Sequence, residues 1–340
     1  MTDLERSRAS ILALPTQCLQ GWQESRRVVF PASYRTCTNV ALVGTGGSAF
    51  GAEIVLAWGA DRLRTPVVIA SAGNLPAWAN AKTLVVAVSY SGSTEEVVRM
   101  AKEAHKRGCK LVIVAKGAEL AAFARQKNIP AYIFDDRQTN VSLQPRMGVG
   151  ITFFAGLGIL SRLGYVKVST REVMEAVREL QRQMAKGNFE KGATALAKKL
   201  HGRIPLLIGA EHLRGVLRAT RNQIHENAKQ FAVEDTIPEL NHHLMEGLTH
   251  PRAVRDLVAV FFASTFYQGS IARRMSVTQE VMRRQHIPCV TVPISAKTPL
   301  AEALVLLQFG SLCSFALVKL NGVNPNAIPW VDYFKKKLAR

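Results

Sequence analysis

A chain of 340 residues, 48% of them apolar, is long enough for about two domains of ordinary size. Only 20% of the residues are charged and no tract is of low complexity, which excludes a disordered chain, a collagen and a coiled coil. The net charge is +19, but the basic residues are spread along the chain and aromatic residues are few, so a basic surface that attracts anionic metabolites is favoured over a nucleic-acid site.

We expect neither a membrane span nor a secretory signal. The longest apolar stretch, 303–318, is interrupted by Gln308, Ser311 and Ser314, and a spanning helix needs ~18 uninterrupted apolar residues. The first residues lack a basic region followed by an apolar core, which predicts a cytoplasmic protein. The five cysteines are scattered without C-x-x-C spacing, which indicates reduced thiols and argues against a disulfide framework or a zinc site.

The first half of the chain alternates short β-branched runs with helical patterns, which is typical of a parallel sheet with helical crossovers. An amphipathic helix is predicted near 3–24, and a long helix after Pro145-Arg146. Between them the pattern predicts strands and then helices over these ranges: strands 39–43, 65–69, 83–88, 110–114 and 131–134, and helices at about 47–58, 94–107 and 118–127. This indicates one doubly wound domain over residues 1–165.

The second half repeats this alternation after a charged segment. Residues 166–202 carry many Lys, Arg and Glu at helical spacing, which predicts a solvated connecting segment. Strands and helices then follow over 203–340: strands 204–208, 257–262 and 289–292, and helices ending near 229 and at 269–285, 299–319 and 326–338. Residues 42–47 and 207–211 both lead from a strand through glycine into a helix, which is a weak internal repeat. The sequence thus predicts an α/β protein of two doubly wound, flavodoxin-like subdomains with parallel sheets.

Two loops that follow predicted strands carry residues suited to binding an anion. Glycines in Gly44–Gly51 let backbone amides approach a ligand at a helix N-terminus, although close packing also selects glycine. The strand at 65–69 ends without an acidic residue for a ribose, so a dinucleotide site is poorly supported. Four hydroxyls lie within Ser89–Thr94, whereas a helix N-cap needs one. We therefore predict a phosphate cradle at the carboxyl ends of the strands.

These two loops, Gly44-Thr45-Gly46-Gly47-Ser48 and Ser89-Tyr90-Ser91-Gly92-Ser93-Thr94, resemble those of the sugar isomerase (SIS) domain family, whose members bind phosphosugars. Four further segments resemble the bifunctional phosphoglucose/phosphomannose isomerases of that family: Pro145-Arg146, His225-Glu226-Asn227-Ala228-Lys229, Pro238-Glu239-Leu240-Asn241-His242 and Val331-Asp332-Tyr333-Phe334-Lys335. The resemblance covers nearly the whole chain.

The resemblance implies interconversion of glucose 6-phosphate or mannose 6-phosphate with fructose 6-phosphate through ring opening and a cis-enediol, with no metal and no cofactor. By their place in the family's motifs, Glu226 is implied as the base that moves a proton between C1 and C2, and Arg146 as the cation that steadies the enediolate. His242 and Lys335 take the ring-opening positions. The implied phosphate-binding residues are Gly47, Ser48, Ser89, Ser91 and Thr94.

The resemblance also implies a phosphorylated hexose as the binding partner and a homodimer with a shared active site, with neither nucleic acid nor membrane as a partner. Other interpretations stay open. Glu226 could be a solvated helix acid, and Lys335 could serve only the dipole of a terminal helix. His242 and His243 would point apart on an extended backbone, so we choose His242. A noncatalytic phosphosugar-binding protein is the alternative function, and a nucleic-acid binder is a remoter one.

Overall fold

The structure is a computed structural model that describes residues 1–71 and 73–338. Its first half contains eleven labelled elements, in chain order: α1 Asp3–Leu12, α2 Leu14–Ser25, β1 Asn39–Val43, α3 Phe50–Trp58, β2 Val67–Ala70, β3 Thr83–Ser89, α4 Glu95–Lys106, β4 Lys110–Ala115, α5 Ala118–Gln126, β5 Ala131–Ile133 and α6 Val149–Leu163. The single helix predicted near 3–24 is two helices. Pro15 lies at the start of α2, where its missing N–H costs nothing.

The first sheet is parallel, with strand order β2-β1-β3-β4-β5. This is the flavodoxin-like order. Successive strands are added on one side of β1 and then, from β3 onward, on the other side, which leaves a crevice outside the carboxyl ends of β1 and β3. Every residue of β3 is buried, as expected for a central strand covered by helices on both faces. The predicted hydroxyl loop follows β3, so the fold places it at that crevice.

The second half contains the remaining ten labelled elements: α7 Thr170–Met184, α8 Phe189–Leu200, β6 Ile204–Ala210, α9 Arg214–Ala228, β7 Val233–Ile237, β8 Leu257–Ser264, α10 Gly269–Arg284, β9 Cys289–Ile294, α11 Pro299–Asn321 and α12 Pro329–Leu338. The second sheet is also parallel, with order β7-β6-β8-β9. The α/β fold with two parallel sheets is therefore confirmed.

The segment between the two sheets is more buried than the sequence pattern predicted. Helices α7 and α8 each bury one face, with Val173, Val177 and Leu180 on the first and Leu196 and Leu200 on the second. Both helices pack against α11, so most charged residues of 166–202 belong to their outer faces, although Glu179 of α7 is buried. The domain boundaries at 165 and 202 stay predictions.

Helix α11 is the central helix of the second half. It is 23 residues long and apolar enough to cross a membrane by length and composition, yet 83% of its most apolar window is buried inside the protein. Its neighbours are α7, α8 and α9. This burial is that of a core helix, and it explains why the apolar run can extend almost all round the helix.

Candidate active site

The loop after β1 brings the glycine-rich segment against Arg146. Gly46 has a φ of +53°, a left-handed conformation that glycine adopts without strain. A β-carbon on Gly47 would lie 3.3 Å from the backbone nitrogen of Arg146, so any larger residue here would crowd the backbone of Arg146. The buried Ser48 accepts a hydrogen bond of 2.9 Å at its Oγ from the backbone N–H of Tyr90. The loops after β1 and β3 are thus joined.

The loop after β3 holds a chain of hydroxyl groups. Ser89 Oγ lies 2.9 Å from Thr94 Oγ1 and accepts a bond of 3.1 Å from the N–H of Gly92. Ser91 is exposed, and its Oγ accepts from both the N–H and the hydroxyl of Ser93. Thr94 is the N-cap residue of α4, and among the described residues its hydroxyl caps no backbone amide. With the first amides of α4, these hydroxyls form a cradle suited to a phosphate.

A buried polar network supports the β3 loop from below. The phenol of Tyr90 donates to the carboxylate of the buried Asp136 and accepts from Asn140 Nδ2 at 2.7 Å. Lys116 forms an ion pair of 2.7 Å with the same carboxylate. Burial and the adjacent Asp136 raise the pKa of Tyr90 above its ordinary value, so the phenol keeps its proton. This network was not predicted from the sequence, although Lys116 and Asp136 both closely follow predicted strands.

Arg146 is the buried cation of the site. Its side chain is 1% exposed, and its Nη1 lies 3.2 Å from Glu226 Oε2. Nε donates to Asn227 Oδ1 at 2.7 Å, Nη1 also reaches Gln144 Oε1 at 3.0 Å, and Nη2 donates to the carbonyl oxygen of Pro325 at 2.5 Å. Burial lowers the pKa of Arg146, and the negative charge of Glu226 partly offsets this effect. The guanidinium nevertheless stays protonated at neutral pH.

Glu226 lies in the last turn of α9, between Arg146 and open space. Its side chain is 32% exposed, and it borders a cavity of about 450 Å³. The remaining lining is mostly apolar and comes from two segments: His225, Lys229, Gln230 and Phe231 at the end of α9, and Ile328, Pro329, Trp330 and Val331 at the start of α12. A partly exposed carboxylate beside a cavity can exchange a proton with a molecule bound there.

Lys229 is a second cation near Glu226. It ends the His225–Lys229 motif, but no role was predicted for it from the sequence. It closes α9 in a left-handed conformation, and its Nζ donates to the carbonyl oxygen of Glu226 at 2.5 Å. Burial and the positive charge of Arg146 lower the pKa of Lys229 to about 8. The carboxylate therefore has two cations in its neighbourhood.

Within one chain, His242 and Lys335 stand apart from this arrangement. His242 is the exposed last residue of a short 3-10 helix after β7, and Lys335 lies on the exposed α12. Across residues 1–71 and 73–338, neither side chain forms a hydrogen bond or ion pair with Glu226 or Arg146. The backbone at His242 and His243 is not extended, because a short 3-10 helix ends there, and both imidazoles are exposed.

The parts that the structure does bring together form one continuous line. The backbone N–H of Tyr90 in the β3 loop donates to Ser48 Oγ, the adjacent Gly47 lies close to the backbone of Arg146, and Arg146 pairs with Glu226. An anionic group can be held at one end of this line while a carboxylate and a fixed cation act at the other. In the described part of the chain, no group of three or more His, Cys, Asp or Glu side chains is placed to hold a metal ion.

Comparison with known proteins finds similarity along almost the whole chain. Residues 189–338 match the family described as the bacterial phospho-glucose isomerase C-terminal SIS domain. The bifunctional phosphoglucose/phosphomannose isomerase of Caldicellulosiruptor bescii is 27% identical over 337 residues, which cover 97% of this chain and 98% of the relative. The protein of the same name from Thermoplasma acidophilum is 25% identical over 332 residues, which cover 96% of this chain and 100% of the relative.

A solved structure shows the same fold. A hypothetical protein of Thermus thermophilus superposes with a TM-score of 0.74 at 17% identity, over 99% of this chain and 94% of that one. The resemblance to the SIS family and its bifunctional isomerases, first indicated by short motifs, is therefore confirmed over the chain as a whole.

Proposed function

We propose that this chain, which resembles the bifunctional phosphoglucose/phosphomannose isomerases from end to end, is an aldose-ketose isomerase that interconverts glucose 6-phosphate and/or mannose 6-phosphate with fructose 6-phosphate. The observation that carries the proposal is the 3.2 Å ion pair between Arg146 and Glu226 at the edge of a cavity. The reaction requires a carboxylate that moves a proton between two carbons and a cation that stabilises negative charge on their oxygens.

The phosphate of the hexose binds at the two loops of the first sheet. Its donors are the hydroxyls of Ser91 and Thr94 and the amides near Gly47, while the buried Ser48 and Ser89 hold the two loops in place through their hydrogen bonds to Tyr90 and Thr94. Two features support this placement: the hydroxyls lie at the N-terminus of α4, where the helix dipole favours an anion, and the buried Tyr90 network beneath them keeps the loop in one shape. Held at C6, the open-chain sugar reaches from this loop toward Glu226.

Glu226 then moves the proton. In the aldose-to-ketose direction its carboxylate takes the proton from C2, which leaves a cis-enediolate across C1 and C2. The same carboxyl group returns the proton to C1, while a hydroxyl proton moves from O2 to O1, so no atom is gained or lost. Because one carboxylate serves both carbons, a hydrogen isotope at C2 is partly transferred to C1 and partly exchanged with water.

Arg146 acts in this scheme as a fixed charge. Its hydrogen-bond donors are engaged by Glu226, Asn227, Gln144 and a backbone carbonyl. The guanidinium is therefore oriented before substrate arrives, and its charge is poorly screened because it is buried. This preorganisation favours the enediolate over the neutral sugar.

His242 and Lys335 enter the proposal through a homodimer with a shared site. Support comes from exposure: His242 faces outward, and the terminal helix presents Trp330, Phe334 and Leu338 at a spacing of four residues, with exposures of 82%, 60% and 65%. An apolar helix face of this kind favours contact with another chain, and closed two-fold dimers are the commonest oligomers. His242 then opens the sugar ring in the partner subunit's site, and a cytoplasmic location suits the enzyme.

The experiment that tests the function is a coupled assay with glucose 6-phosphate and mannose 6-phosphate, with and without chelator, on the native chain and on Glu226→Gln. The variant keeps the shape and removes the base, so turnover should fall by ~10² to 10⁴ while fructose 6-phosphate binding by calorimetry persists. In heavy water the native enzyme should place deuterium at C2 of the aldose phosphate. Tight binding without turnover by the native chain would support a noncatalytic phosphosugar-binding protein instead.

A further inference from the structure

A fully buried carboxylate lies at the carboxyl ends of the second sheet. Glu302, in the first turn of α11, has 0% exposure. It accepts hydrogen bonds from Ser264 Oγ and from both the backbone N–H and the hydroxyl of Thr265, the latter two at 3.1 and 2.6 Å. Nε2 of His212 lies 3.0 Å from Glu302 Oε2. Hydroxyls, a loop amide and an imidazole thus converge on one anionic group.

These donors occupy the positions that correspond to the phosphate loops of the first sheet. The two sheets share a strand order. In the first sheet β1 lies between the edge strand β2 and β3, and in the second sheet β6 lies between the edge strand β7 and β8. Ser89 ends β3 and Ser264 ends β8. Each serine accepts a hydrogen bond from a backbone N–H just beyond it, that of Gly92 at 3.1 Å and that of Phe266 at 2.9 Å. His212 follows β6 as the glycine loop follows β1.

From the sequence, a hydroxyl-bearing loop was predicted only in the first half. The structure shows that Ser264 and Thr265 provide such a loop in the second half as well, although with two hydroxyls and no glycine. The difference between the two halves is what lies in the loop. In the first half it is open to a ligand, and in the second half it surrounds Glu302.

We propose that the second subdomain retains an anion-binding cradle and that the side chain of Glu302 occupies it in place of a small oxyanion such as a carboxylate or phosphate. The proposal goes beyond the isomerase function and rests on the fold alone. It explains why the loop after β3 is open to a ligand, whereas the corresponding loop after β8 is already filled by a side chain. It also predicts a latent site that opens when the carboxylate is removed.

The negative charge of Glu302 is central to this interpretation. A buried carboxylate is costly unless several donors compensate it. Burial would raise its pKa, but the hydrogen bonds from His212, Ser264 and Thr265 outweigh that effect and hold the pKa of Glu302 below its ordinary value. The cradle therefore favours a charged guest over a neutral one of the same shape.

The test is chemical rescue of Glu302→Ala. This substitution removes four heavy atoms, which are the four heavy atoms of acetate. The melting temperature of E302A should fall by roughly 3–8 °C, and millimolar acetate should restore most of the loss, whereas chloride at the same ionic strength should not. Inorganic phosphate is a second probe, and its effect is counted only relative to the native chain, because the first-half loops also bind phosphate.

Glu302→Gln is the matched control, since it fills the same space without the charge. E302Q should melt below the native chain and should gain nothing from acetate. The proposal is overturned if acetate shifts E302A no more than it shifts E302Q, if E302A stays unfolded in acetate, or if E302Q melts at the native temperature. None of these readings uses isomerase activity, so failure here would leave the proposed function untouched, and loss of the proposed function would leave this result standing.

Discussion

Of the hydroxyl residues in the β3 loop to which we assign phosphate binding, Ser91 and Thr94 are the two with accessible side chains. Ser91 is exposed and Thr94 is half-buried, whereas Ser89 is fully buried. Each hydrogen bond to a charged phosphate contributes roughly 1.5–3 kcal/mol. We therefore expect Ser91→Ala and Thr94→Ala each to weaken fructose 6-phosphate binding by at least ~10-fold in calorimetry. Ser93→Ala is the control, and equal binding by all four proteins would remove the phosphate from this loop.

Lys229 gives the stability of the protein a specific dependence on pH. Its pKa falls from an ordinary 10.5 to about 8 in the folded chain, so between these values the unfolded chain binds one proton more. The free energy of unfolding contributed by Lys229 therefore rises as pH increases from about 8 toward 10.5. The melting temperature of the native chain should therefore rise relative to that of Lys229→Met between pH 7.5 and 10. The exposed Lys336→Met should follow the native chain, and parallel curves for all three would contradict the prediction.

At the scale of elements, the turn between β3 and α4 depends on Gly92. Its φ is +80°, and a β-carbon there would lie 2.0 Å from the carbonyl oxygen of Gly117. Gly92→Ala must therefore displace the backbone of the turn, which we expect to cost at least ~3 kcal/mol in urea unfolding and to weaken phosphosugar binding. Gly108→Ala is matched, because its φ is +71° but its β-carbon would meet only a methyl group at 3.9 Å. Gly108→Ala should cost about 1 kcal/mol of unfolding free energy. Equal losses for the two variants would show that the cost comes from the positive φ alone and not from the contact with Gly117.

The elements that sequence patterns predicted are those with strong local signals. β1 and β3 are apolar runs followed by glycine or serine, and their loops were placed at the correct edge of the sheet. β7 was missed because Val233–Ile237 contains Glu234 and Asp235; as an edge strand it needs no continuous apolar run. The burial of α7 and α8 was missed because charged outer faces conceal an apolar stripe.

Side chains that act through long-range contacts could not be found in this way. Arg146 and Glu226 are 80 residues apart and came from family motifs, not from local pattern. The Tyr90–Asp136 pair and the Glu302 cradle have partners 46 and 38 residues away. Their roles depend on which loops the sheets bring together, which a single sequence does not state.

At the scale of the whole molecule, the site is assembled from both halves of the chain. Arg146 and the two loops proposed to bind phosphate belong to the first half, and Glu226 belongs to α9 of the second. α3 and α9 pack so closely that a β-carbon on Gly215 would lie 2.3 Å from the carbonyl oxygen of Glu53. This close helix packing sets the distance between cradle and base, so the two sheets cannot shift independently without separating Arg146 from Glu226.

The proposed homodimer with a shared site predicts that two inactive variants can restore one another. Glu226→Gln lacks the base and His242→Ala lacks the ring-opening group, so a homodimer of either is inactive. In a mixed dimer, one of the two sites combines an intact Glu226 from one subunit with an intact His242 from the other. Random mixing makes about half of the dimers mixed, each with one intact site. Mixtures should therefore regain about a quarter of the native activity after subunit exchange.

The control is a mixture of Glu226→Gln with Glu226→Asp, in which no site is intact and no activity should return beyond that of the separate proteins. Exchange is verified by mass spectrometry of differently tagged subunits. If demonstrated mixed dimers of the first pair stay inactive, Glu226 and His242 serve the same chain's site. The exposed position of His242 would then require the turn after β7 to move by itself toward Glu226 when the sugar binds.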